Sequence, residues 1–167
     1  LATKVAFVPV ALDEAAMAQR LSAAIAFATV SATPESPSLD AFHALQARFA
    51  ADFPRVHAQL AHESINDASL LFRWNGRGEC APLLLAAHQD VVPVEPGTES
   101  GWTHPPFAGV IADGYVWGRG AIDDKASLLA ILEAVEHLLG EGFVPQCPVY
   151  LAFGHDEEIG GTHGAKA

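Results

Sequence analysis

Five apolar residues in unbroken succession, Leu83 to Ala87, run directly into His88-Gln89-Asp90. A short apolar run of this kind predicts a strand buried on both faces, the type that lies inside an α/β sheet. In an extended segment residues i and i+2 share a side, so His88 and Asp90 are expected to leave the strand mouth together. Strand ends in open α/β sheets are where ligand chemistry is built. A neutral imidazole suits zinc-like metals, and a nearby carboxylate can fix its tautomer. Taken alone, the same residues also fit a loop histidine beside a solvated aspartate.

The segments around this run alternate in type. Asp13 to Ala28 predicts a helix, with Leu21, Ile25 and Ala28 at helical spacing and two acids in its first turn. Thr33 to Pro37 reads as a loop, and Ser38 or Asp40 can cap a second helix that runs to about Phe53 and stops at Pro54. Val56 to His62 and Ser69 to Trp74 read as strands, with Asn75-Gly76 as a hairpin-turn signal lengthened by Gly78 to Pro82. Pro93 to Pro106 is a long loop, a length more often functional than idle. Val110 to Trp117 predicts a hairpin turning at Asp113-Gly114. Lys125 to Leu139 carries the clearest apolar stripe and is closed by Gly140 and Gly142. Pro148 to Gly154 predicts another strand, and Ile159-Gly160-Gly161 leads into a last, unfinished helix. The expected fold is α/β, a mixed sheet flanked by helices.

Composition narrows the partners. The 167 residues are enough for one domain with a core, and half of them are hydrophobic. Nine Lys plus Arg against twenty Asp plus Glu give a formal net charge of −11. That argues against a nucleic-acid partner, which needs a basic footprint, and favours cations. Cys80 and Cys147 lie far apart in no CxxC pair, which suggests neither a disulfide framework nor a thiolate zinc site. No apolar run is long enough to span a membrane. The sequence begins at Leu1 without an initiator Met, and Gly160, Gly161 and Gly164 lead to Ala167 with no closing element. The expectation is a piece of a longer protein.

Acidic groups recur at strand and turn ends. Asp90 follows one apolar strand, Asp123-Asp124 lies between Gly118-Arg119-Gly120 and a helix start, and Glu157-Glu158 follows another apolar strand. Separately, Asp123-Asp124 fits an acidic helix start and Glu157-Glu158 fits solvated acids in a turn. If the three ends converge, one imidazole meets up to five carboxylates. Such a cluster cannot stay ionised without cations, and a pair of divalent ions would resolve the repulsion and activate water near neutral pH. Among the other histidines, His137 falls on a polar helix face and His104 packs within a proline-rich loop. His62, His155 and His163 have no stronger case. Gly118-Arg119-Gly120 lacks the phosphate-loop pattern, and neither GxSxG nor HExxH occurs.

The ordered motifs Ala87-His88-Gln89-Asp90-Val91-Val92-Pro93-Val94, Trp102 with Pro105-Pro106-Phe107, Trp117 to Lys125, and Gly154-His155-Asp156-Glu157-Glu158 resemble the M20 family of metallopeptidases. They are most similar to its branch of carboxypeptidase S and N-acyl-amino-acid hydrolases, over roughly residues 20 to 167. The resemblance implies a zinc-exopeptidase-like catalytic domain holding two Zn2+ ions, with Co2+ or Mn2+ as substitutes. It implies that His88, Asp123 and Glu158 bind metal, Asp123 bridging, and that Asp90 holds the His88 imidazole. It implies Glu157 as the general base and a cis Asp123-Asp124 peptide.

The family's remaining carboxylate and histidine ligands, and its inserted dimerisation or lid domain, would fall beyond Ala167. Residues 1–167 are therefore expected to be the N-terminal portion of one catalytic domain, and alone to bind metal poorly and not turn over. The intact protein is expected to hydrolyse an amide of a peptide or N-acyl amino acid, with a possible homodimer formed through the absent domain. Alternatives are a deacylase of the acetylornithine or succinyl-diaminopimelate type, or an inactive fragment serving as a binding module. The branch includes secreted and membrane-anchored members, and these residues assign no compartment.

Overall fold

The sheet is mixed, with strand order β1-β2-β6-β3. A computed structural model describes residues 10–31 and 39–167. Its elements are α1 (Glu14–Ile25), α2 (Asp40–Asp52), α3 (Pro54–Gln59), β1 (Ala61–Ile65), β2 (Ser69–Trp74), β3 (Leu83–His88), β4 (Val110–Ala112), β5 (Tyr115–Trp117), α4 (Lys125–Gly140) and β6 (Val149–Gly154). Single 3-10 turns cover Glu99–Gly101 and Glu157–Ile159. β1, β2 and β6 are antiparallel neighbours, whereas β3 runs parallel to β6. Parallel neighbours need a long crossover, here the loop, the β4–β5 hairpin and α4.

Strand periodicity sorts the sheet into two faces. Leu70, Phe72, Trp74, Leu151 and Phe153 point to one face and join Ala24, Leu45, Phe49, Val56, Leu128 and Leu132 in the core. Helices α1 to α4 therefore pack on that face. Leu85 and Ala87 of β3 also pack against this core. The other face of β3 is open, with Leu84 60% exposed, and Leu83 at the strand start is 54% exposed. The expectation of a strand buried on both faces is thus corrected: β3 is an edge strand with one covered face.

Other expectations shift for local reasons. α1 starts as predicted, with the Asp13 side chain accepting from Ala16 N–H at 3.0 Å, but ends at Ile25. The Thr33–Pro37 loop and Ser38 lie outside the described residues. Asp40 is the first helical residue, not the cap. Pro54 ends α2 and at once opens α3, where the first helical turn needs no N–H from it. The strand expected over Val56 to His62 is a helix through Gln59, and β1 begins only at Ala61. The carboxylate of Glu136, on α4, accepts from Arg55 N–H at 3.0 Å and Val56 N–H at 2.9 Å. That distant carboxylate satisfies the free donors of the α3 start, and buried Val56 anchors it.

The Asn75-Gly76 hairpin does not form, because β6 lies between β2 and β3. The hairpin is β1–β2, turning at Asn66 and Asp67 with φ 48° and 64°. Gly76 instead permits close approach of chains, since a Cβ there would sit 2.5 Å from the Cys147 carbonyl carbon. The β4–β5 hairpin turns at Asp113-Gly114 as predicted, both with positive φ. After the Glu157–Ile159 turn the chain continues in turns, and no last α-helix follows among the described residues. Cys80 and Cys147 form a disulfide with a Cα separation of 5.3 Å, contrary to the expectation from their spacing.

Candidate metal centre

Because β3 and β6 are parallel and in register His88 to Gly154, their C-terminal ends open side by side. His88 leaves β3 there, and the Glu157-Glu158 turn follows β6. The Asp123-Asp124 pair reaches the same place from the loop before α4, and the peptide joining them is cis. The three acidic segments therefore converge on one imidazole.

Asp90 organises the corner. It is fully buried, and its two carboxylate oxygens accept from Glu157 N–H at 3.1 Å and Glu158 N–H at 3.0 Å. The His88 Nδ1–H donates to the Asp90 main-chain oxygen at 3.0 Å and lies 3.3 Å from its carboxylate. Burial alone would raise the Asp90 carboxyl, but His88 and the two N–H donors hold it below the ordinary carboxylate range. With Nδ1 so engaged, Nε2 points outward, 3.0 Å from Asp123 Oδ1 and 3.8 Å from Glu157 Oε2. Asp124 Oδ2 accepts weakly from the His88 main-chain N–H, at 3.4 Å.

One ligand atom each from His88, Asp123 and Glu158 lies within 4.8 Å of the others. One imidazole nitrogen and two carboxylate oxygens are a donor set suited to zinc and related divalent ions, so these residues fit a metal. The electrostatics agree. Burial opposes a charge on His88, yet Asp90 and Asp123 raise it to about 9, so the acidic cluster favours positive charge here, and a metal would displace the proton from Nε2. Burial, with the charge of Asp123 beside it, raises Glu158. Glu157 remains 59% exposed at its side chain, 3.8 Å from His88 Nε2.

Several supporting residues carried no signal in the sequence. Gln89, fully buried between His88 and Asp90, donates to Ala68 O and Phe153 O at 2.9 Å each. Its main-chain oxygen accepts from the Thr29 hydroxyl at 2.6 Å. Lys125, also fully buried, spans from the α4 start to Ala24 O at 2.9 Å and Phe27 O at 2.6 Å. It thus ties the Asp123-Asp124 loop to the end of α1, and its burial pushes it down to about 7. His155 is buried and contacts the Ser69 hydroxyl at 2.7 Å, a structural role that removes it from the donor set.

Comparison with known proteins agrees with this geometry. A sequence profile of peptidase family M20/M25/M40 matches residues 84–167. The chain is 47% identical over 159 residues to the probable carboxypeptidase S-like 2 of Dictyostelium discoideum, covering 92% of this chain and 30% of that protein. It is 39% identical to the N-fatty-acyl-amino acid synthase/hydrolase PM20D1 of Bos taurus, covering 90% of this chain and 30% of that one. The fold matches the M20 family metallo-carboxypeptidase Sso-CP2 of Sulfolobus solfataricus with a TM-score of 0.69 and 26% identity, over 89% of this chain and 32% of that chain. The sequence thus spans about a third of the length of these relatives.

Proposed function

The chain belongs to peptidase family M20/M25/M40, and on that premise we propose that residues 1–167 are the N-terminal portion of a metallohydrolase catalytic domain. The intact protein would hydrolyse amides, as a carboxypeptidase or an N-acyl-amino-acid hydrolase. The observation that carries this reading is the meeting of His88, Asp123 and Glu158 ligand atoms within 4.8 Å, beside a histidine held by Asp90. The family implies a divalent metal, typically zinc, and a pair of ions is part of this proposal. His88, Asp123 and Glu158 would hold the metal. Divalent cations bound there supply Lewis acidity, polarising an amide carbonyl and acidifying water.

The protein's own groups have distinct tasks. Asp90 keeps Nδ1 of His88 protonated, so that Nε2 offers its lone pair. Its grip on the Glu157 and Glu158 N–H groups fixes the turn that presents both carboxylates. Glu158 then faces the metal position. Glu157, exposed and 3.8 Å from His88 Nε2, takes a proton from the attacking water and returns it to the leaving amine. The opposed environments of the pair, Asp90 buried and Glu157 open, suit one carboxylate that stays ionised and another that cycles.

The names of the relatives carry both substrate types, a peptide C-terminus and an N-acyl amino acid. The test is a panel of N-acyl amino acids and dipeptides given to the full-length protein, before and after chelation. Hydrolysis that disappears with the metal and returns with added zinc supports the proposal. A fully zinc-loaded protein that cleaves none of the panel refutes it and favours the binding-module alternative. Dimerisation through a domain outside these residues is a separate part of the proposal, read by light scattering of the full-length protein.

A further inference from the structure

The three segments that carry the candidate ligands share one support, the stretch from Ala24 to Ser31 where the chain leaves α1. Thr29 grips the His88 segment. Its hydroxyl donates to Gln89 O at 2.6 Å, and its main-chain oxygen accepts from Val91 N–H at 3.0 Å. Val30 pairs with Val91 in a parallel bridge. Ser31 grips the Glu157-Glu158 segment, its hydroxyl donating to His155 O at 2.6 Å. Lys125 brings in the third segment, since its Nζ donates to Ala24 O at 2.9 Å and Phe27 O at 2.6 Å. Every grip falls close to a ligand in the chain: Gln89 follows His88, Lys125 is two residues after Asp123, and His155 is three before Glu158.

Two observations separate this support from ordinary packing. Gln89 and His155 lie just past the last β3–β6 pair, His88 with Gly154, so the ladder no longer supplies donors to their carbonyls. The Thr29 and Ser31 hydroxyls do so instead. The Asp123 loop is not part of the β1-β2-β6-β3 sheet, and Lys125 joins it to a stretch bonded to the ends of β3 and β6. The second observation is chemical. Thr29, Ser31 and Lys125 are all buried. Burying a hydroxyl or an amine costs free energy that its hydrogen bonds only offset, and an apolar side chain would fill the space without that cost. What the polar groups add is a single arrangement, because a fully bonded buried network fixes its members relative to one another. A metal site needs that, since its ligands must be held to within about 0.5 Å.

We propose that Thr29, Ser31 and Lys125 are positioning residues of the metal centre, acting through Gln89, His155 and the Asp123-Asp124 loop to set the spacing of the His88, Asp123 and Glu158 ligand atoms. The proposal rests on the metal-centre reading given above. Thr29 and Ser31 bond to main-chain carbonyls and not to ligand atoms, so their effect is on geometry and not on the donor set.

The test uses the full-length protein. Thr29→Val, Ser31→Ala and Lys125→Met each remove one donor. Ser22→Ala is the control, removing a comparable hydroxyl bond, Ser22 Oγ to Gly109 O at 2.5 Å, that runs from α1 to a segment without a ligand. Competition with a chromophoric chelator reads zinc affinity, and visible absorption of the Co2+-loaded protein reads ligand geometry, both without turnover. Each of the three variants should weaken zinc binding by about tenfold, the lower end of the range for groups that orient ligands, and should shift the Co2+ bands. Thr29→Ser should restore both. Ser22→Ala should change neither, whatever it does to the unfolding midpoint in urea. Unchanged affinity and bands in Thr29→Val and Ser31→Ala, beside a lowered midpoint, overturn the proposal by reducing these residues to packing. An equal loss in Ser22→Ala also overturns it. Where Lys125→Met fails to fold, the two hydroxyl variants decide. A full-length protein that binds neither zinc nor Co2+ removes the metal centre and this proposal together. One that binds zinc but hydrolyses no amide loses the hydrolase reading alone, because the affinities still decide the role of the three residues.

Discussion

Asp90 holds His88 Nδ1 in two ways, through its main-chain oxygen at 3.0 Å and its carboxylate at 3.3 Å. The pairing makes the metal-free corner a proton trap, because Asp90 and Asp123 overcome burial and raise His88 from 6.5 to about 9. The folded protein therefore binds a proton that the unfolded chain releases earlier. Its contribution to stability is complete below about 6.5 and disappears as pH rises through about 9. Lys125 acts oppositely, since burial lowers it to about 7 and the cost of its charge is relieved as pH rises. The comparison of metal-free wild type with His88→Gln cancels Lys125. Denaturant unfolding should show the difference between the two shrinking by up to about 3 kcal/mol from pH 6 to pH 9. A difference independent of pH would remove the His88–Asp90 pair as its source.

Asp90→Asn keeps the shape and removes the charge. An amide offers one acceptor where the carboxylate has two, so the N–H of Glu157 or Glu158 loses its partner inside the protein. Stability should fall by about 1–3 kcal/mol. Metal affinity should fall by about 10- to 100-fold, because the imidazole is no longer held in the binding tautomer. Competition with a chromophoric chelator reads the affinity, and unaltered affinity would show that His88 orients without Asp90.

Glu157 and Glu158 are neighbours with different expected phenotypes. Glu157→Gln should lower kcat by about 10²- to 10⁴-fold with metal content retained, as for the loss of a positioned base. Glu158→Gln should lower metal content together with rate. Elemental analysis beside single-turnover rates separates the two, and an exchange of these phenotypes would reverse the assignment.

What the sequence concealed follows a physical pattern. The convergence at the candidate site was legible because His88, Asp123 and Glu158 lie at element ends that topology brings together, and parallel pairing of β3 with β6 makes that so. The α3 helix was not legible, since its start depends on the Glu136 carboxylate 80 residues away from Val56. Asn75-Gly76 has the residue types of a turn, yet Gly76 is needed where the chain passes against Cys147. The run Leu83 to Ala87 is apolar throughout, but hydrophobicity does not say whether both faces are covered by this stretch of chain. Spacing in sequence likewise hid the disulfide, because the two cysteines, 67 residues apart, precede strands that enter the sheet side by side.

That disulfide yields the last prediction. Cys80 and Cys147 precede the two parallel strands, at the end of the sheet opposite His88 and Gly154. The segments they join are already held by Arg77 N–H to Pro145 O and Gly78 N–H to Gln146 O, both at 2.9 Å. The crosslink therefore adds few contacts to the folded state, and its main effect is to restrict the unfolded chain. Closing a loop of this length is worth about 4 kcal/mol in the chain-entropy picture. Reduction, or the pair Cys80→Ser and Cys147→Ser, should lower stability to urea by about that amount. Metal stoichiometry at the far end of the strands should persist under conditions where the protein remains folded. Loss of metal before loss of structure would mean that the crosslink sets the register of β3 against β6, and with it the position of His88.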